Sequence, residues 1–252
     1  MLTTSLAAVA ALGEQPVRDV CCCVVAWEFL FRSAKWLILR TCNHPPESKL
    51  VLDGPSYVTA WVHACLVGGL GLWHTLTLVH APVDGQLAIP VDSVHPWHHA
   101  AAATERTNVF FLSWLLYDLG HVLLRYPHLG GVDTVAHHLG FIGASAICGT
   151  YRMLPFPFAW LTTGELSSIA LNIRWFLINS GRGDSGALQV AQLAFALLFA
   201  ATRVIIYGLG LAHLAAHRRE LFSSSGVLSG VPQPLVTLVL TLLTGLLFHF
   251  GS

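Results

Sequence analysis

Repeated apolar runs constrain the fold of this 252-residue chain more than any other feature. A bilayer core requires about 20 mostly apolar residues per helix, and only helices or closed barrels satisfy the backbone within it. Segments rich in Pro and Gly separate the runs, as expected at helix boundaries. The sequence therefore predicts an all-α fold, a polytopic transmembrane bundle of about six to seven helices. The predicted spans are 20–39, 58–78, 107–124, 135–151, 158–178, 188–213 and 235–250.

The composition points to the same class of protein. Hydrophobic residues make up 54% and charged residues 10% of the chain, and the mean hydropathy is +0.64. Soluble domains carry roughly a quarter charged residues. Thirteen Lys and Arg balance thirteen Asp and Glu without a basic run, so nucleic acid is not an expected partner. Membrane lipids are the expected partners, and a homo- or hetero-oligomer within the membrane stays open.

Three parts of the chain are predicted. Residues 1–55 form an N-terminal segment with a first transmembrane or interfacial helix, 56–216 form the main domain, and 217–252 form a loop and a last transmembrane helix. The first helix carries Glu28 and Arg32 four residues apart, where they can pair on one helix face. Residues 6–12 are apolar without a preceding basic residue, so we expect an uncleaved N-terminal tail.

The third span carries polar residues at a depth where charge is costly. Tyr117 and His121 are four residues apart, and Asp118 and His121 three apart, so the three should share a broad helix face. Asp118 could orient His121 or a histidine of the next helix and raise its basicity. The alternative is a buried hydrogen-bonded pair that only stabilises helix packing.

His137 and His138 are adjacent in the fourth span. They should point about 100° apart on a helix, so one of them is expected to face Asp118. This spacing is poor for chelation from one helix, and no metal site is predicted. A neutral imidazole could serve as base or nucleophile toward an acyl group, which makes both histidines and Asp118 candidate catalytic residues. A purely structural role stays open.

The fifth span carries Glu165, Ser168 and Asn172 along one stripe, which is expected to face the bundle interior. Arg174 falls nearly opposite Glu165, near the helix end, where it could reach the headgroups. Polar stripes in the second and sixth spans include His63 and Arg203. Such stripes form interhelical hydrogen bonds or line a lipid cavity.

The segment 79–106 contains four histidines, His80, His95, His98 and His99. Loops of this length without secondary structure are uncommon and are usually lids or mobile segments. We expect a solvated loop here.

Several short motifs together resemble the TLC domain, the family of translocon-associated TRAM proteins, longevity-assurance ceramide synthases and ceroid-lipofuscinosis membrane proteins. The resemblance extends from about 57 to 216 and includes Arg203 and Tyr207. The motifs are Trp114-Leu-Leu-Tyr-Asp118-Leu-Gly-His121, Tyr126-Pro127, Gly130-Gly131-Val-Asp133, His137-His138, Thr163-Gly-Glu165-Leu-Ser-Ser168 and Asn172-Ile-Arg174-Trp175-Phe176-Leu177.

The resemblance implies two functions. Ceramide synthases transfer a fatty acyl group from acyl-CoA to a sphingoid amine and use a histidine pair that matches His137 and His138. They carry two aspartates where this chain has Glu165 and Ser168, and the segment around these residues is more similar to the smaller TLC-domain-containing proteins, which are linked to lipid homeostasis.

We expect a protein of membrane lipid homeostasis that binds or processes a lipid in an intramembrane polar cavity. Two more specific interpretations stay open, an acyltransferase with acyl-CoA as substrate and no bound cofactor, and a non-catalytic lipid sensor or trafficking receptor. A transporter is a third, although no inverted repeat of broken helices is evident in the sequence. The predicted lipid cavity contains His63, Tyr117, His121, Glu165, Ser168, Asn172, Arg174, Arg203 and Tyr207. The endoplasmic reticulum is the expected compartment, with the plasma membrane or another endomembrane as alternatives.

Overall fold

The computed structural model describes residues 14–42, 44–89, 96–223 and 226–249. The predicted N-terminal tail and His95 lie outside these ranges. The helices are α1 (Glu14–Thr41), α2 (Lys49–Leu78), α3 (Val83–Leu87), α4 (Pro96–Leu124), α5 (Val132–Tyr151), α6 (Pro155–Thr163), α7 (Glu165–Asn179), α8 (Gly186–Phe199), a π-helical segment (Ala200–Ile206), α9 (Tyr207–Ala216), α10 (Arg218–Phe222) and α11 (Gln233–His249).

The fold is all-helical, as predicted, and the described residues form no strand beyond one bridge between Ala88 and Met153. Within the part of the chain that the structure describes, three helices are long and apolar enough to cross a membrane, namely Lys49–Leu78, Trp97–Leu124 and Gly186–Ala216. The count of six to seven crossings stays a prediction. We call Gly186–Ala216, which joins α8, the π-helical segment and α9, the long rod.

The predicted loop at 79–106 is wrong for most of its length. Leu87 on α3 and Ala101 on α4 are both fully buried, and α4 begins at Pro96 rather than at the predicted 107. Four consecutive alanines, Ala100 to Ala103, follow the first turn of α4. Alanine has the highest helix propensity, so the helix of the third predicted span begins earlier in the chain than its apolar pattern indicated. Polar residues on both sides of the alanines hid this part of the helix in the sequence.

The predicted single span 158–178 is also wrong, because it consists of two helices that meet at Gly164. The Tyr207 hydroxyl donates to the Leu161 carbonyl oxygen at 2.7 Å beside this junction. A Cβ atom at position 164 would collide with that hydroxyl. Glycine at the junction therefore makes room for the long rod to contact α6.

Helix α2 is the centre of the bundle and packs against α1, α4, α6 and α7. Gly68 and Gly71 let its backbone approach α6 and α7 closely. A Cβ at Gly71 would lie 2.6 Å from the Thr162 Oγ1, and one at Gly68 would lie 2.8 Å from the Leu166 nitrogen. Small residues of this kind are typical of helix interfaces within membranes, where packing rather than hydrophobicity drives association.

The main apolar cluster lies around α6, the long rod and α11. Trp160 is 1% exposed and contacts the ring of Tyr207, and the same cluster includes Met153 and Val236. A second cluster on α4 and α5 includes Phe111 and Ile142. Between these clusters the helices leave a space that polar side chains enter.

Candidate functional site

A cavity of about 410 Å³ lies among α2, α4, α5, α7 and the long rod. Its walls combine ionisable, polar and aromatic side chains from five parts of the bundle. The lining residues are Ala60, His63, Phe111, Trp114, Leu115, Asp118, His137, His138, Phe141, Glu165, Ser167, Ser168, Leu171, Asn172, Phe195, Phe199 and Arg203.

Asp118 on α4 and His138 on α5 form an ion-pair contact at one wall. The His138 Nε2 lies 2.9 Å from the Asp118 Oδ2, and the His138 Nδ1 lies 2.8 Å from the Thr134 carbonyl oxygen. A carboxylate and a carbonyl both accept hydrogen bonds. Both contacts are hydrogen bonds only when the imidazole carries a proton on each nitrogen.

His137 lines the same cavity as His138. Its ring centroid lies 5.7 Å from that of His138 and 4.8 Å from that of Phe141. His138 is the histidine that contacts Asp118, and both His137 and His138 line the cavity. The structure thus brings together the three residues predicted to be catalytic.

Glu165 and Arg203 form a second ion pair that also borders the cavity. The Arg203 Nη2 lies 3.4 Å from the Glu165 Oε1, and the Arg203 Nε donates to the Ser167 Oγ at 3.1 Å. The Arg203 side chain is only 9% exposed. A charge this buried requires a partner, and Glu165 provides it.

The π-helical segment carries Arg203. A π-helix contains an extra residue per turn compared with an α-helix, so it changes which side chains face inward, and such segments are frequent at functional sites. Thr202 donates its hydroxyl to the Leu198 carbonyl oxygen at 2.8 Å within this part of the rod. Arg203 thereby faces α7 from a rod whose surface is otherwise largely exposed.

The predicted stripe on α7 lines the cavity. Glu165, Ser168 and Asn172 all border it, and the Asn172 Nδ2 donates to the Ser168 carbonyl oxygen at 2.7 Å. Ser167, which the sequence did not single out, is the serine that binds Arg203. No local spacing signals this contact, because its partners are 36 positions apart.

His63 forms part of an aromatic wall. Its ring stacks on Trp114 at 4.7 Å and on Phe111 at 5.8 Å, and the residue is 2% exposed. Its Nε2 has no hydrogen-bond partner within the ranges that the structure describes. Trp114 and Phe111, which the sequence reasoning missed as site residues, supply most of this apolar surface.

Tyr117 and His121 do not line the cavity, contrary to the prediction. The Tyr117 hydroxyl donates to the Glu28 Oε2 at 3.3 Å, and the His121 Nε2 lies 3.6 Å from the same oxygen. Both face α1, because one residue along a helix turns a side chain by about 100° and separates Tyr117 from Asp118. The predicted pair of Glu28 with Arg32 is confirmed at 2.6 Å.

Arg174 and Tyr207 also lie outside the cavity lining. Tyr207 borders a narrow apolar crevice of about 30 Å³ that shares Phe111, Phe141 and Glu165 with the cavity. Arg174 is half-buried on α7, next to Trp175, whose ring stacks on Tyr57 at 3.8 Å. Neither of these two predicted cavity residues therefore forms part of the cavity surface.

The donor set suits an organic ligand. Within the described ranges, no three His, Cys, Asp or Glu side chains are grouped to hold a metal ion. Aromatic walls with a few convergent polar groups are typical of small-molecule sites, whose volumes are about 300–1,000 Å³. The cavity can hold a polar group between the two ion pairs while Trp114, Phe141 and Phe199 contact an apolar portion.

The family model of the TLC domain matches residues 56–250, which includes every residue that lines the cavity. No curated protein and no solved structure matches the chain. The matched region extends through α11. The chain therefore belongs to the TLC domain family of membrane proteins.

Proposed function

We propose that this protein acts in membrane lipid homeostasis and binds a lipid in the cavity between Asp118 and Arg203. The observation that carries the proposal is the cavity itself, a space of about 410 Å³ with two ion pairs inside an apolar helical bundle. Charged groups at membrane depth are costly and are usually retained for function. We further propose that the protein resides in the endoplasmic reticulum.

The cavity offers separate surfaces to the two parts of a lipid. Asp118, Glu165 and Asn172 can accept or donate hydrogen bonds to a headgroup or a linking ester or amide. Leu171 lines the cavity and is 39% exposed, which marks an opening on the outer surface of α7. A lipid could enter there from the bilayer without crossing water.

Acyl transfer is the candidate chemistry, and the contact between Asp118 and His138 favours it. In this reaction the thioester bond of acyl-CoA breaks, an amide bond to a long-chain amine forms, and the amine proton leaves with CoA as its thiol. A histidine would take the acyl group or the proton. Because both ring nitrogens contact acceptors, His138 can act as base or nucleophile only after it gives up one ring proton and releases the acceptor at that nitrogen.

A non-catalytic sensor or trafficking receptor is the second candidate. The doubly held His138 favours it, because a ring fixed between two acceptors stabilises the contact between α4 and α5 without any reaction. In this function the same polar groups retain the lipid, and the protein reports or transfers it unchanged.

The first experiment tests whether the cavity determines a lipid phenotype. Whole-cell lipid profiles are compared for wild type, Glu165→Gln and Glu105→Gln at matched membrane abundance. Glu105 is the matched control, since its carboxylate pairs with Arg152 at 3.0 Å outside the cavity. We expect wild type and Glu105→Gln to change the abundance of the same lipid class, and we expect Glu165→Gln not to change it. Equal profiles for the two variants would refute the role of the cavity.

A second experiment separates the two candidate functions. The double variant His137→Ala, His138→Ala is tested for retention of a photoactivatable lipid and, when purified, for amide formation from acyl-CoA and a long-chain amine. Loss of amide formation with retained lipid favours the acyltransferase. Absence of amide formation in wild type, with lipid retained, favours the receptor.

A further inference from the structure

A second cavity of about 170 Å³ lies on the other side of Asp118. It shares Ala60 and Asp118 with the main cavity, and its other walls include Ser56, Leu129 and Thr134. We call this space the vestibule. Asp118 and Ala60 thus form the partition between two spaces, of which only the larger contains Glu165 and Arg203.

The vestibule lies at one end of the bundle. Ser56 is in the early part of α2, Thr134 is in the first turn of α5, and Leu129 lies between α4 and α5. The Arg125 Nη1 lies 2.8 Å from the Asp53 Oδ1 and donates to the Leu52 carbonyl oxygen, which ties the start of α2 to the end of α4. Charged residues at helix ends are typical of the membrane surface.

Polar residues line the vestibule from this end to the ion pair. They are Ser56, Tyr57, Thr134 and Asp118. The Thr134 carbonyl oxygen and the Asp118 carboxylate are the two acceptors of His138. Buried water needs a volume of at least about 10–15 Å³ and two to four polar partners, and the vestibule exceeds both requirements.

We propose that the vestibule is an aqueous route from the membrane surface to Asp118, separate from the opening beside Leu171. Water and small hydrophilic solutes enter past Ser56 and Leu129 and reach the Asp118 carboxylate from the vestibule rather than from the main cavity. Asp118 and His138 then exchange protons with the surface while the main cavity holds a lipid. The route does not depend on which chemistry the main cavity performs.

The test uses Ala60→Cys as a reporter, because this small residue borders both spaces. The purified full chain in lipid nanodiscs is treated with a charged, water-soluble methanethiosulfonate reagent. Modification of position 60 is followed by tandem mass spectrometry, with the native cysteines retained. Ser56→Trp narrows the vestibule and Leu171→Trp narrows the main opening, each in the Ala60→Cys background.

We expect Ser56→Trp to slow modification by about tenfold or more, since water must carry the reagent, and Leu171→Trp to leave the rate nearly unchanged. Slower modification in Leu171→Trp, whatever the result for Ser56→Trp, would overturn the separate route. An unchanged rate in Ser56→Trp would overturn it as well, and so would an introduced thiol at position 60 that does not react.

A second reporter guards against misfolding of the first. Thr134→Cys borders only the vestibule of the two spaces and should react whether or not Leu171→Trp is present. Variants are compared only when they elute as a single species in size-exclusion chromatography. A Thr134→Cys that stays unreactive in a well-folded chain counts against the vestibule as an aqueous space.

Discussion

At the scale of single residues, the best-defined contact of the site is the imidazole of His138, held between the Asp118 carboxylate and the Thr134 carbonyl oxygen. Removing one partner of a buried ion pair leaves the other without compensation, which is more costly than removing both. The contact therefore joins α4 and α5 in addition to any chemical role.

Asp118→Asn tests this contact. The substitution keeps the shape of the side chain but removes its charge, so we expect the free energy of unfolding to fall by about 1–3 kcal/mol. Thermal unfolding in detergent measures the loss. Asp133→Asn is the control, because Asp133 is an exposed residue in the first turn of α5. Equal stability of Asp118→Asn and wild type would show that the ion pair contributes nothing.

Tyr207→Phe tests the hydrogen bond beside Gly164. The variant removes the hydroxyl that donates to the Leu161 carbonyl oxygen at 2.7 Å, and a loss of about 1 kcal/mol is expected for a buried hydrogen bond. Tyr126→Phe, at a position that is 48% exposed, should unfold at the wild-type temperature. If both variants unfold together, the Tyr207 hydroxyl does not stabilise the junction.

Sequence reasoning identified most of the ionisable residues of the cavity but not their partners. The spacing along α4 predicted that Asp118 lies near a histidine but did not decide between His121 and His138. The packing of α4 against α5 and α1 makes His138 the partner of Asp118. The sequence pattern did not reveal that the Glu28 carboxylate on α1 contacts both Tyr117 and His121. Periodicity describes one helix face and cannot tell which neighbouring helix that face contacts.

At the scale of elements, α2 determines how closely the bundle packs. Gly71 faces α6 directly, whereas Gly69 on the opposite side of the same helix has no atom within 4 Å of a hypothetical Cβ. The two glycines lie two residues apart in one apolar helix, so they differ mainly in their tertiary contacts. Substituting each glycine in turn therefore separates the effect of close backbone approach from the effect of helix propensity.

Gly71→Ala should destabilise the protein, and Gly69→Ala should not. The added methyl group at 71 forces α2 away from Thr162 and Thr163, and overpacking of this kind costs about 1–3 kcal/mol. At 69 the same change should be neutral or slightly stabilising, because alanine favours helix over glycine. Thermal unfolding of the two variants side by side measures the difference. Similar shifts for both would mean that α2 and α6 tolerate a larger separation.

Elements were predictable where the apolar pattern was continuous. The second, fourth, sixth and seventh predicted spans correspond to α2, α5, the long rod and α11. Their ends differ by three residues or fewer, except that α2 begins nine residues before the predicted 58, at Lys49. Helix α4 begins before the predicted start at 107 because its first part is rich in alanine, which favours a helix. Histidines and Glu105 interrupt the apolar pattern there, so the sequence did not show this part of the helix. The junction at Gly164 depends on the Tyr207 hydroxyl, which lies 43 residues further along the chain and leaves no local signal.

At the scale of the whole molecule, α1 belongs to the bundle although it precedes the family match. Trp27 on α1 is 3% exposed, packs on Trp114 at 5.4 Å, and donates its Nε1 proton to the Ser113 Oγ at 3.1 Å. Trp114 in turn lines the cavity. Helix α1 thus covers the outer side of the wall that faces the proposed ligand.

Trp27→Ala should loosen this wall. Truncating a buried tryptophan typically costs about 3–5 kcal/mol, and here it also leaves Ser113 without its donor. Trp36→Ala on the same helix is the control, since Trp36 is 57% exposed. Limited proteolysis should cut α1 faster in Trp27→Ala than in Trp36→Ala. Equal cleavage would indicate that α1 attaches through other contacts.

The central claim is that the cavity binds a lipid, and photo-crosslinking to the purified chain tests it most directly. A membrane lipid with a diazirine in its acyl chain and an alkyne handle is irradiated with wild type and with Ser168→Trp, which fills the cavity. We predict crosslinks on cavity residues such as Phe141 and Phe199 and their loss in Ser168→Trp, while crosslinks on the exposed face at Leu193 persist. Crosslinks confined to the exposed face of the long rod, unchanged in Ser168→Trp, would contradict the account.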